Sequence, residues 1–283
     1  MIDQATQLRQ LVLRAGRTRG GDEASPPRKL VISGGKAGLG STTLAVNLAV
    51  ALASSGARAV LIDADLYRAD VAAHCGLPRS ITIGDVLAGR KDIHEALERG
   101  PGGIQVVLGT PTAEARNLCS DKALTRILRQ IHGLGRFADV VLIDTGNGPT
   151  EPTIRFWQAA DDALLITTPD AVAVMDTYAA VKMLLSRSAI GRPLGLVVNQ
   201  IDSAEAAADV HRRIDQSCQR FLGLSLPLAG WIPSAASTAA DQTGTPIVLA
   251  APESPFAIAL DRLAERILAA PASSPLRERR VAV

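Results

Sequence analysis

Aromatic residues are nearly missing from this chain: two Trp, two Tyr and four Phe, or 3% of 283 residues. Its core must therefore be filled by Ala, Val, Leu and Ile, which dominate a hydrophobic content of 47%. That mixture suits alanine-rich helices covering a sheet buried on both faces. Cysteine is equally scarce. Cys75, Cys119 and Cys218 stand far apart without metal-type spacing, as do His74, His94, His132 and His211. A zinc site or a cysteine nucleophile is therefore not indicated, and the cysteines read as small buried thiols. Long apolar runs are also lacking: none reaches the ~18 residues of a membrane span, and the amino terminus is polar rather than signal-like, so a cytoplasmic location is expected. The net charge of +2 gives no basic excess to favour nucleic acid.

What is present is alternation. Apolar strand-like runs at 29–32, 59–62, 104–108, 140–143, 163–167, 194–198 and 226–231 are separated by helical patterns at 42–54, 123–131, 173–186 and 204–221. Short segments at 81–87, read as a helix, and 92–98 add to these, and a last helix spans 255–269. Repetition of this kind predicts an α/β fold, a doubly wound and mostly parallel sheet with helices on both faces and ligands at the strands' carboxyl ends. Ahead of it, residues 3–15 read as an amphipathic helix with Ala5, Leu8, Val12 and Ala15 on one face. The expected divisions are a helix over 1–16, a flexible linker over 17–28 rich in Gly, Arg, Ser and Pro, one domain over 29–270, and a solvated tail over 271–283.

The organising stretch follows the first strand: Gly35, Lys36, Ala37, Gly38, Leu39, Gly40, Ser41, Thr42, Thr43. Strand, glycine-rich turn and helix start are the context of a phosphate-binding loop, whose backbone N–H groups converge on phosphate oxygens. One residue departs from the pattern. Ser41 stands where a lysine normally reaches the β and γ phosphates. Two further strands end in acids, Asp63-Ala64-Asp65 and Asp144-Thr145-Gly146-Asn147-Gly148. Any single Asp could merely form a turn, but three such motifs in order point to a nucleoside triphosphatase. Thr42 and Asp144 would hold Mg²⁺, with Asp65 beside the ion orienting an attacking water.

Beyond these motifs, L-I-D-A-D-L-Y-R-A-D at 61–70, L-I-D-T-G at 142–146, T-T-P-D-A at 167–171, L-V-V-N at 196–199 and W-I-P at 231–233 resemble the MinD/ParA class of P-loop ATPases. These are the MinD-like (SIMIBI) proteins with a deviant Walker loop, and the resemblance is greatest to their flagellar-number branch, FlhG/FleN. It covers roughly residues 29–268 and implies ATP and Mg²⁺ as ligands, an ATP-dependent homodimer and a binding switch timed by hydrolysis. It makes Lys36 the signature lysine that crosses the dimer interface, Asp65 the water-positioning carboxylate, Asp144 the Walker B acid, and Asn199 and Pro233 nucleotide contacts. Residues Asp3, Gln4, Ala5, Leu8 and Arg9 fit the D-Q-A-x-x-L-R pattern with which this branch engages and stimulates the signal-recognition-type GTPase FlhF.

Departures from the family pattern shape the expectation. Losing one charge-assisted phosphate contact at Ser41 should cost about 1.5 to 3 kcal/mol. Ala37 adds a Cβ where backbone approaches phosphate, which would be strained at a positive φ. Hydrolysis is therefore expected to be slow and dependent on dimerisation. The alternatives are a pseudo-ATPase scaffold without turnover and a ParA-like positioning protein. Relatives reach the membrane through a terminal amphipathic helix, but here Phe256, Leu260, Leu263 and Ile267 form a core-facing stripe. The three arginines at 277, 279 and 280 supply too little attraction for stable anchoring. Weak or no membrane binding is expected, with a peripheral place at the inner membrane face or cell pole left open.

Overall fold

Leu30 and Ile32 point to one side of the first strand and Val31 to the other, and all three are fully buried. A strand with no solvent face needs a helical layer on each side, and the computed structural model, which describes residues 25–78, 80–187, 194–235 and 244–270, has both. In chain order come β1 (Arg28–Gly34), α1 (Ser41–Ser54), β2 (Ala59–Asp63), α2 (Val71–His74) and α3 (Ile83–Ala88). Next are β3 (Glu98–Arg99), β4 (Gln105–Val107), α4 (Ala113–Leu118), α5 (Asp121–His132) and β5 (Val140–Asn147). The remainder is α6 (Glu151–Ala159), β6 (Asp162–Thr167), α7 (Ala171–Arg187), β7 (Leu194–Asn199), α8 (Ala204–Leu222), β8 (Leu228–Ile232), α9 (Ile247–Ala250) and α10 (Pro255–Ala269).

The eight strands form one sheet in the order β3-β4-β2-β5-β1-β6-β7-β8, parallel except for the β3–β4 pair. The expected doubly wound sheet is thus present. The segment 92–98, given no type from sequence, makes turns and then enters the antiparallel edge strand β3. The expected first helix, most of the linker and the tail lie outside the described residues, and Arg28, placed in the linker from sequence, belongs to β1.

On one face α1 and α10 pack together, Leu44, Leu48 and Leu52 joining Leu260, Leu263 and Ile267 over Leu30, Ile32 and Leu142. The stripe on α10 is accordingly core, as its periodicity predicts. The other face is covered by α3, α5, α6, α7 and α8, where Phe156 and Trp157 share a layer with Val31, Val141 and Ile143. α6 was not apparent in the hydrophobic pattern. It starts at Thr150, whose hydroxyl accepts from the Thr153 N–H at 3.3 Å, with Pro152 in its first turn.

At the sheet's amino edge Arg28 joins three elements. Its Nε lies 2.6 Å from Asp162 Oδ2 at the start of β6, and its Nη1 donates to the Ile267 and Ala270 carbonyls at the end of α10. This clamp sets the start of β1, and everything beyond β1's other end is the site.

Candidate functional site

Neighbouring strands β2, β5 and β1 deliver their carboxyl ends side by side, with Asp63 opposite Asp144 and Gly34 opposite Asn147. Between β1 and α1 lies the glycine loop. Gly38 (φ 87°) and Gly40 (φ 78°) take left-handed conformations that favour glycine. Ala37 does not, so the strain expected at that residue is absent. Gly40 precedes the first helical residue, Ser41, and no side chain caps α1 and no acid sits in its first turn. Among the described residues no side chain claims the N–H groups of that turn, which carry the positive end of the helix dipole.

Lys36 does not reach over its own loop. Its Nζ sits 2.5 Å from Asp170 Oδ2, after the end of β6, and this pairing holds the Asp170 carboxyl below the usual range. Ser41 is buried and Thr42, one residue on, is half-buried. Asn199 ends β7 and its Nδ2 donates to the Leu39 carbonyl at 2.8 Å, so this side chain clamps the loop's apex. A Cβ on Gly40 would lie 2.6 Å from that nitrogen. Asn199 also pairs with Ile232, placing Pro233 at the same edge. Asn199→Ala should leave the Leu39 carbonyl unpaired and weaken nucleotide binding about tenfold. Calorimetric titration checks this, and an unchanged Kd would remove the clamp from the site.

The acids are deeply set. Asp144 is fully buried; its Oδ1 accepts from the Gly146 N–H at 3.0 Å, while Oδ2 has no hydrogen-bond partner among the described residues. Burial pushes its pKa up to about 6, with the Thr42 hydroxyl and the Gly146 amide pulling the other way. Asp63, also fully buried, is driven well above the carboxylate range by burial and then by the charge of Asp144. It accepts from the Asp65 and Val71 N–H groups, each at 3.2 Å, and so ties the segment after β2 to the strand end. Asp65 accepts from the Tyr67 and Arg68 N–H groups at 2.8 and 3.1 Å, and its carboxylate lies against Gly146, where a Cβ would be 2.1 Å away.

A buried carboxylate oxygen without a partner, next to a threonine hydroxyl and an uncapped helix start, fits a divalent cation carried in with phosphates. Thr42 and Asp144 would hold that cation. Three side chains here carried no role in the sequence reading: Asp63, Asp170 and Asn147. The D-x-D spacing was the available signal for Asp63. The other two meet their partners only through the sheet.

A parallel sheet that ends in a glycine loop, an uncapped helix and paired strand-end acids is the fold and site of a P-loop nucleoside triphosphatase. Within that class the chain belongs to the ParA family: a model described as ParA, NUBPL iron-transfer P-loop NTPase, matches residues 26–268. The antiactivator FleN of Pseudomonas aeruginosa is 29% identical over 243 residues, 86% of each chain. The flagellum site-determining protein YlxH of Helicobacter pylori is 27% identical over 65% of this chain and 62% of its own. Among solved structures, the septum site-determining protein MinD of Pyrococcus horikoshii with Mg-ADP superposes with a TM-score of 0.70 at 27% identity, covering 85% of this chain and 96% of that one. The chain's three cysteines lie on different elements, Cys75 and Cys218 buried and Cys119 half-buried, and burial raises all three thiol pKa values.

Proposed function

We propose that this protein is a MinD-like, ATP-binding switch that sets the number or position of flagella. Its likeness to FleN over 86% of both chains carries the reading, and YlxH adds the flagellar process in its name. ATP enters with Mg²⁺ at the glycine loop, Thr42 and Asp144. Lys36 leaves Asp170 and reaches the nucleotide of a second subunit, making a homodimer that forms only with ATP. Asp65 orients water, and turnover is slow because Ser41 brings no charge to the phosphates. Residues 1–16, with Asp3, Gln4, Ala5, Leu8 and Arg9, engage an FlhF-type GTPase.

A pseudo-ATPase scaffold is the second reading, favoured by the uncharged Ser41 and by the pairing of Lys36 away from its own loop. Calorimetry with ATP and ADP in Mg²⁺, light scattering and phosphate release separate the two. The switch reading expects ATP binding, a doubled mass and slow hydrolysis; binding without any turnover supports the scaffold, and no binding at millimolar nucleotide ends the switch reading. Lys36→Ala should leave the melting temperature unchanged, since the ion pair is exposed, yet abolish the doubling in mass. Deleting residues 1–20 should remove stimulation of the GTPase while ATP binding persists.

A further inference from the structure

A glycine loop with its usual lysine missing has lost its principal donor to the terminal phosphates, and the neighbourhood of Ser41 contains a substitute. Asn147, the last residue of β5, is half-buried and lies opposite Gly34 in the β1–β5 register. The Gly148 N–H donates to the Gly34 carbonyl at 2.8 Å, locking the two strand ends together. A Cβ on Gly34 would sit 2.8 Å from Asn147 Oδ1, so the carboxamide lies directly over the start of the loop. The same Oδ1 faces Ser41 Oγ at 3.5 Å, at the loop's end. The side chain therefore spans the loop's two ends, on the ground a lysine at position 41 would have to cross.

We propose that Asn147 is a phosphate-contact residue, its Nδ2 supplying to the terminal phosphates of a bound nucleoside triphosphate a donor in place of the lysine ammonium missing at position 41. This rests on the nucleotide-binding reading above. With Oδ1 turned to the Ser41 hydroxyl, the NH₂ end of the carboxamide is free of that contact, and no described residue accepts from it. A carboxamide carries two N–H donors and no charge. It can select for phosphate oxygens by geometry, but it stabilises the growing charge of phosphoryl transfer less than an ammonium would. Retained binding with slow turnover follows from that difference. Ser41 and Asn147 form a matched pair: the short side chain at 41 leaves room for the carboxamide, and a lysine there would displace it.

The test measures Kd for ATP and ADP in Mg²⁺, with melting temperature as the control, on the full chain. Asn147→Asp keeps the shape and an oxygen facing Ser41, but turns the donor end into an anion beside phosphate. ATP affinity should fall by about a hundredfold or more at unchanged melting temperature, and ADP affinity by less. Asn147→Ala should cost ATP about tenfold, which keeps the test decisive if the aspartate variant unfolds. Ser41→Lys together with Asn147→Ala should restore ATP binding to at least the wild-type level. If the folded Asn147→Asp and Asn147→Ala proteins bind ATP within threefold of wild type, the inference is overturned while the nucleotide reading stands. A wild-type protein that binds neither nucleotide overturns both.

Discussion

Replacing Asp144 with asparagine should stabilise the nucleotide-free chain at pH 8 by about 3 kcal/mol while abolishing Mg²⁺-dependent nucleotide binding. The carboxyl is fully buried, and burial lifts its pKa from 3.8 to about 6. A folded state with the higher pKa binds the proton more tightly than the unfolded chain. The stability this contributes is full below about pH 4 and is lost as pH rises to about 6, beyond which the buried charge is carried at full cost. Asparagine removes the charge and also relieves Asp63, whose own raised pKa owes part of its shift to Asp144. The gain should therefore be large at pH 8 and vanish near pH 4. On the proposed reading, in which Asp144 holds the ion, proton and Mg²⁺ would compete for the same carboxylate, so Mg²⁺-nucleotide affinity should weaken as pH falls through 6. Thermal melts of both proteins from pH 4 to 8, with a parallel Mg²⁺ titration, check each arm. An asparagine variant less stable than wild type at pH 8 would show that the carboxylate is instead held by favourable contacts.

Much of this arrangement is legible in the sequence because buried parallel strands advertise themselves. Val140 to Ile143 form a continuous apolar run, and such a run has no room for a solvent face. The glycine loop and the acids at 63, 65 and 144 could be assigned to one edge because parallel strands linked by helices end together. Strand order could not be read, and with it went the pairings that matter chemically. Lys36 and Asp170 are 134 residues apart, and only the adjacency of β1 and β6 joins them. Asn147 meets Ser41 only because β1 and β5 are also neighbours. The φ of Ala37 could not be read for a related reason: the loop places its left-handed turns at Gly38 and Gly40, a backbone choice that spacing alone does not reveal. α6 escaped notice because nine residues give a helical period little room, although its Thr150-Glu151-Pro152 start carries a cap, an acid and a first-turn proline.

Arg28→Leu should destabilise the protein by about 3 to 5 kcal/mol, the cost of leaving a buried partner charge uncompensated. Arg28 and Asp162 are 9% and 1% exposed and their atoms are 2.6 Å apart, at the opposite end of β1 from the glycine loop. Asp162 already has a raised pKa, through burial opposed by its bonding to Arg28. Without the guanidinium the pKa climbs further, so the folded state retains its proton more firmly. Stability then drops as pH rises, and the deficit of the variant should be greater at pH 8 than at pH 5. Adding Asp162→Leu should recover most of the loss, since two packed apolar groups replace a buried ion pair at little net cost. Recovery should be incomplete, because the bonds from Arg28 to the Ile267 and Ala270 carbonyls are lost in both variants. Denaturant melts of the two single variants and the double variant give the coupling directly. If the single leucine variant melts with wild type at pH 8, the pair is not what fixes β1. The nucleotide Kd of whatever fraction remains folded should stay within about threefold of wild type, because the five residues between Arg28 and Gly34 are held independently by β5 and β6 on either side.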